Sequence, residues 1–272
     1  MISRPSTVKP ASFRTVLSTE FAKLRRSGIT WISFAVYIFL VGVAGFFMWM
    51  LKNPGMAEKL GLLGQKAQLV VGGAAAGWST YLGLVLEMSG IAALVLCSFV
   101  LTYLFGREYV EGTAKNMLAL PVARWHFVAA KLLIALLWCG ALTLWELALT
   151  SFTGLLVDLG PLTTEYFTSW ALKAVGASLI GFTCSAAAAW IAVMTRGYLA
   201  PLGYVIFSML LAVVLGATEW GKWAPWSILM WFTGASGPGK NLVPGSFAVI
   251  TLFFALTVAL IIHHETRADN VQ

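Results

Sequence analysis

The stretch "FGREYVEGTAKNMLALPVARWHFVAAKLL", residues 105–133, places acids, bases and a proline between two long apolar runs. Each run is long enough to cross a bilayer, because a hydrocarbon core of about 30 Å requires roughly 20 mostly apolar residues in a helix. Extending the same criterion outward marks six spans, at about 30–51, 81–105, 126–157, 167–194, 197–217 and 246–264. The runs are continuously apolar rather than alternating, which excludes the strands of a lipid-exposed barrel. Hydrophobic residues make up 59% of the chain and charged residues 11%, with a mean hydropathy of +0.84. A soluble domain does not have this composition. The expected fold class is all-α: a polytopic membrane protein of six transmembrane helices.

Lysine and arginine set the expected orientation. Arg4, Lys9, Arg14, Lys23, Arg25 and Arg26 precede the first span, and Arg107, Lys115, Arg124, Arg196 and Arg267 share their side, with Lys131 just inside the third span. Lys52, Lys59, Lys66, Lys173, Lys222 and Lys240 lie opposite. The positive-inside rule then puts both termini in the cytoplasm. The formal charge of +7 is explained by this topology, and with no basic run interleaved with aromatics, a nucleic-acid partner is not expected. The first span is full length and no small-residue cleavage site ends a short apolar core, so it is expected to stay in place rather than act as a cleaved signal. This divides the chain into a cytoplasmic segment 1–29, a six-span domain 30–264 and a cytoplasmic tail 265–272.

In "SFRTVLSTEFAKLRRS", Phe13, Val16, Leu17, Phe21 and Leu24 recur at helical spacing, with Arg14, Ser18, Lys23 and Arg25 elsewhere around the helix. That pattern predicts an amphipathic helix in the membrane interface with its bases near lipid headgroups. It serves either as an anchor for the first span or as a partner surface. Residues 52–80 read as a short outer helix and a Gly/Ala-rich return. Residues 218–245 carry Trp220, Trp223, Trp226 and Trp231, an aromatic belt in composition. Their apolar middle predicts a half-inserted helical segment followed by a Gly/Pro-rich return.

Chemistry-bearing motifs are few. "GASGPGKN" approaches the phosphate-binding G-x-x-x-x-G-K-[ST] pattern through Gly234, Gly239 and Lys240, but Asn241 replaces the magnesium-binding hydroxyl and no strand precedes it. His263 and His264 are adjacent, so they point to different helix faces, and His126 stands alone. No nucleophile elbow is present. Cys97, Cys139 and Cys184 all fall inside spans without metal-ligand spacing. No catalytic residue, metal site or cofactor is expected in this chain.

Three ionisable residues fall within spans: Glu87, Glu146 and Lys173. An unpaired charge at the bilayer centre costs on the order of 3 kcal/mol, so each is expected to face a partner, a cavity or a subunit interface. A Glu146–Lys173 or Glu87–Lys173 pair is geometrically possible, as a structural ion pair or as the lining of a path. Gly176, Gly181 and the run from Ala186 to Ala189 permit close helix packing in the fourth span, within one chain or between two.

The opening stretch itself reads as span end, turn, short helix, turn and span start. Arg107, Glu108 and Glu111 leave the membrane, Gly112 allows a turn, Thr113 can cap a helix through Leu118, and Pro121 ends it. Met117, Leu118 and Leu120 form an apolar ridge, the form of a docking element. The order Glu108, Glu111-Gly112-Thr113, Leu120-Pro121, Arg124, Lys131 resembles the signature of type-2 ABC transporter permeases, and the six-span plan is similar along essentially the whole chain. That resemblance implies a coupling helix that docks on an ATPase subunit, with Glu108, Glu111, Gly112, Thr113, Met117, Leu118, Pro121 and Arg124 as coupling residues. The same residues also suit helix capping and topology. It further implies two permease chains, homo- or heterodimeric, two ATPase copies holding ATP and Mg, contact with membrane lipid, and residence in a bacterial cytoplasmic membrane. The short single-domain chain is similar to the group exporting bacitracin-like or lantibiotic-like peptides and drugs, and antibiotic resistance is the expected setting. Two other classes remain: a membrane scaffold or sensor recruiting a soluble partner, and an ion-conducting protein.

Overall fold

A computed structural model describes residues 13–59, 76–113 and 124–267. The elements are α1 Phe13–Arg25, α2 Gly28–Lys52, α3 Pro54–Lys59, α4 Trp78–Val110, α5 Arg124–Leu156, α6 Thr164–Thr195, α7 Leu199–Gly216, a 3-10 turn Glu219–Trp223, α8 Pro225–Thr233 and α9 Pro244–Arg267. The chain is all-helical, and α2, α4, α5, α6, α7 and α9 are long and apolar enough to cross a membrane.

Burial separates an inner pair from an outer ring. In the most apolar windows of α4 and α6, 67% of residues are buried, against 33% in α2, 28% in α7 and 22% in α9. Helices that are apolar all round belong at the centre, and α4 and α6 form the most extensive contact of the bundle. Small residues make this contact possible. A side chain at Gly181 would put its Cβ 3.0 Å from the Ala93 Cβ and 3.2 Å from the Ala93 carbonyl carbon. Alongside, Ser185 Oγ donates to the Leu94 carbonyl at 2.9 Å. Gly181 and Ser185 of the fourth span therefore pack within the chain against the second span, while Gly176 faces the Phe232 ring of the 225–233 helix.

We call the end that carries α1 the basic end. There Leu24, Leu101, Leu104, Phe105, Ile134, Val193 and Ile261 form one apolar core. At the far end Met48, Trp78, Tyr81, Trp170, Ile228 and Leu229 form another. Arg196, in the left-handed region at φ 52°, ends α6 and turns the chain directly into α7. Lys52 ties α2 to the opposite turn by donating to the carbonyls of Val157, at 3.0 Å, and Asp158.

The tryptophan-rich segment divides. Trp220 and Trp223 are 73% and 46% exposed, as belt residues are, whereas Trp231 is 5% exposed and donates to the Gly216 carbonyl at 2.9 Å. The helical segment expected there is α8, which packs against α4, α6 and α7. Trp226 Nε1 donates to the Tyr204 hydroxyl at 2.8 Å, and that hydroxyl donates to the Cys184 carbonyl at 3.1 Å, joining α8, α7 and α6.

Candidate functional site

The 105–133 stretch straddles the basic end, and its described parts are held by charge. Helix α4 runs on to Val110, so Glu108 is not on a loop. It lies on the inward stripe below Leu101, Leu104 and Phe105 and is 8% exposed. On α5 the corresponding stripe is Val128, Lys131 and Ala135, and Lys131 is 4% exposed. Lys131 Nζ donates to Glu108 Oε2 at 2.6 Å and sits 5.1 Å above the centroid of the Phe105 ring. Glu108, read from the sequence as lying beyond the end of the second span, and Lys131, read as just inside the third, form a buried ion pair. A buried charge is tolerated where a partner and hydrogen bonds compensate its lost hydration.

The pair extends to the N-terminal helix. Lys23 Nζ donates to Glu108 Oε1 at 3.3 Å and also to Glu20 Oε1, a residue 3% exposed. Burial disfavours the Lys23 ammonium, but the hydrogen bond and charge of Glu20, with Glu108 behind it, outweigh that and hold its pKa above the ordinary lysine value. The inward stripe of α1 is Val16, Glu20 and Leu24, packed on α5. Phe21, assigned to the apolar face from sequence, is 53% exposed. Glu20 takes the inward place because it meets the Lys23–Glu108–Lys131 chain of charges.

A second set of contacts fixes α9. Tyr109 donates its hydroxyl to Glu265 Oε1 at 2.8 Å, and Arg124 Nη1 donates to the Glu265 carbonyl. Glu111 is the C-cap of α4, and its carboxylate accepts from Arg107 Nε at 2.7 Å. Gly112, at φ +68°, lies in the left-handed region that glycine adopts without strain. Thr113 Oγ1 donates to the Glu108 carbonyl at 3.5 Å. Met117, Leu118 and Pro121 lie outside the described residues. The segment 111–124 is thus bracketed by residues tied to α1, α4, α5 and α9.

The intramembrane charges do not converge. Glu146, 2% exposed, has Tyr37 of α2 and Ser89 of α4 as polar neighbours, and its Oε1 has no hydrogen-bond partner among the described residues. Thr150, one turn along α5, is equally buried with an unpartnered hydroxyl among the described residues. Glu87 is exposed, near Gly234 at the end of α8. Lys173 is exposed beside the Trp170–Ala174–Ala177 stripe that faces the bundle. Neither glutamate pairs with it. Among the described residues no cluster of His, Cys, Asp or Glu could hold a metal. Lys240 of the near-P-loop stretch pairs instead with Glu219, at 2.9 Å.

Sequence reasoning missed Glu20, Tyr109 and Glu265. The signal for Glu20 was present, since it stands four residues from both Val16 and Leu24 on an otherwise apolar stripe. The family model described as "ABC-2 family transporter protein" matches residues 16–214. Among curated proteins, the bacitracin transport permease protein BCRB of Bacillus licheniformis is 29% identical over 158 residues, covering 58% of this chain and 74% of that protein. No solved structure matches.

Proposed function

The chain belongs to the ABC-2 transporter family and is a membrane subunit of an ABC transporter, and on that premise we propose that it exports an amphipathic or hydrophobic compound. The cargo class is a drug, a peptide antibiotic or a lipid-like molecule, in keeping with the similarity to a bacitracin permease. ATP and Mg bind a separate ATPase subunit, two copies of which serve two permease chains. The pair sits in the bacterial cytoplasmic membrane with both termini inside, so that the basic end faces the ATPases.

The observation that carries this reading is the bracketing of residues 111–124 by the Glu20–Lys23–Glu108–Lys131 charges and the Glu265 contacts. A docking element whose flanking residues are tied to four helices would pass a push from a soluble partner into the bundle. Glu111, Gly112, Thr113 and Arg124 shape its two ends, and Met117 and Leu118 supply the apolar contact. The test is affinity purification from the native membrane, with identification of co-purifying proteins and an ATPase assay. We expect a stoichiometric subunit bearing a P-loop. In the variant Met117→Asp with Leu118→Asp, stimulated hydrolysis should disappear while membrane insertion is retained. Normal stimulation in that variant would remove the coupling assignment, and an intact oligomer free of any ATPase would remove the transporter-subunit mechanism.

A further inference from the structure

A cationic cleft and an apolar groove adjoin at the basic end, beside the coupling contacts above and sharing Lys23 and Arg107 with them. The cleft, about 600 Å³ including its mouth, lies between α1 and α4 and is lined by Thr19, Ala22, Lys23, Arg26, Tyr103 and Arg107. Its three charged lining residues are all basic. The groove, about 470 Å³, is lined by Ile29, Phe99, Thr102, Tyr103, Tyr198 and Leu202. Tyr103 lines both, so the cleft and the groove adjoin across its side chain.

The order of side chains along α4 gives the site its polarity. Phe99, Tyr103 and Arg107 are spaced by four residues and form one stripe about 12 Å long at 1.5 Å per residue. Arg107 is fixed in place: its Nη1 donates to the Tyr103 hydroxyl and its Nε to Glu111, both at 2.7 Å. Its Nη2 has no partner among the described residues, nor does the guanidinium of Arg26. The acids nearby are committed, Glu111 to Arg107 and both Glu20 and Glu108 to Lys23. One turn below the charges, Thr102 is 4% exposed and its hydroxyl has no hydrogen-bond partner among the described residues. Below it the lining is Ile29, Phe99 and Leu202.

We propose that this site holds an anionic phospholipid of the adjoining leaflet. The phosphate lies between Arg26 and Arg107 with Lys23 at the rim, an ester oxygen meets Thr102, and an acyl chain fills the groove. Guanidinium groups suit phosphate because their planar donors match its oxygens. Basic side chains at the membrane surface are further favoured by anionic headgroups. A soluble phosphate shares the headgroup chemistry but has no use for the groove, and an apolar groove adjoining the cationic cleft at Tyr103 is what selects the lipid.

Native mass spectrometry of the purified chain in detergent tests this without any ATPase, so its outcome is separate from that of the transport reading. The probes are dioleoylphosphatidylglycerol, dioleoylphosphatidylcholine and inorganic phosphate. We expect retention of phosphatidylglycerol over phosphatidylcholine, reduced about five-fold by Arg26→Gln and about thirty-fold by Arg26→Gln with Arg107→Gln. Arg26 is exposed and its side chain makes no hydrogen bond or ion pair with a described residue, so its single variant is expected to keep the fold. Leu202→Trp, which fills the groove, should also release the lipid, and Lys222→Gln at the far end should not. Equal retention by the Arg26 and Lys222 variants would overturn the site. Competition by millimolar inorganic phosphate together with a silent Leu202→Trp would overturn the lipid assignment in favour of a free anion.

Discussion

The two ends of the bundle are held by different forces. At the basic end, helices far apart in sequence are joined by charge: Glu20 and Lys23 from α1, Glu108 from α4 and Lys131 from α5, with Glu265 of α9 held beside them. At the far end the buried joints are close apolar contacts, such as Gly154 against the Trp78 ring, with Trp78 Nε1 anchored on the Gly160 carbonyl at 2.9 Å, and charge acts only at exposed turns, as where Lys52 meets Val157 and Asp158. The exposed Glu219–Lys240 pair there sits at the surface and holds no helix pair in the core. Charge chains can exchange partners with small displacements, whereas interlocked rings and glycines resist any displacement. The buried joints of the basic end thus rest on charge and those of the far end on packing.

Breaking the charge chain should have the largest effect. Glu108→Ala leaves Lys131 buried without a counter-charge, which destabilises by about 3–5 kcal/mol. The melting temperature in detergent should fall steeply, and adding Lys131→Met should restore much of it. An unchanged melting temperature for Glu108→Ala would mean that the pair does not hold this end together.

The corresponding change at the far end is smaller. Gly154→Leu drives a side chain into Trp78, which cannot swing away without losing its bond to Gly160, and overpacking of this kind costs about 1–3 kcal/mol. Its effect should appear in thermal unfolding, with no rescue by any charge substitution. If Gly154→Leu were the more damaging of the two, the ranking of the ends would be reversed.

The smallest effect sharpens the contrast by pH. The hydrogen bond from Lys240, and then its charge, hold the Glu219 carboxyl below the ordinary glutamate pKa of 4.5. A carboxyl more acidic in the folded state adds stability that is complete above its unfolded pKa and is lost as pH falls through the folded value. Melting curves of the wild type should therefore decline slightly more than those of Glu219→Gln as pH is lowered below about 4.5. The difference should shrink in salt, because both groups face water. A large, salt-insensitive difference would show the far end to depend on charge after all.

The six spans were legible because hydrophobic continuity over a membrane's thickness leaves few alternatives. The Gly181 and Ala186–Ala189 stripe was legible for a similar reason, although its partner helix was not. Glu108 was misread because the direction of a side chain near a helix end depends on where the helix stops. With a span ending at residue 105 it belongs to a loop, and with α4 running to Val110 it points inward. Glu20 was hidden by its own charge, since periodicity counts an acid as outward unless it is known that its partner Lys23 also meets Glu108, 85 positions further on. Glu146 was legible as a buried charge but not its company, which comes from Tyr37 and Ser89 on two other helices.

Helix α4 has 33 residues and no proline, so it is a continuous rod about 50 Å long at 1.5 Å per residue. It carries Glu108 at one tip and Trp78 at the other. A beam of this kind converts a rotation into opposite displacements at its ends: a tilt of roughly 10° about its midpoint carries each tip through about 4 Å. Pressed tightly on α6 along its middle, it has its fulcrum where the glycine and alanine residues lie.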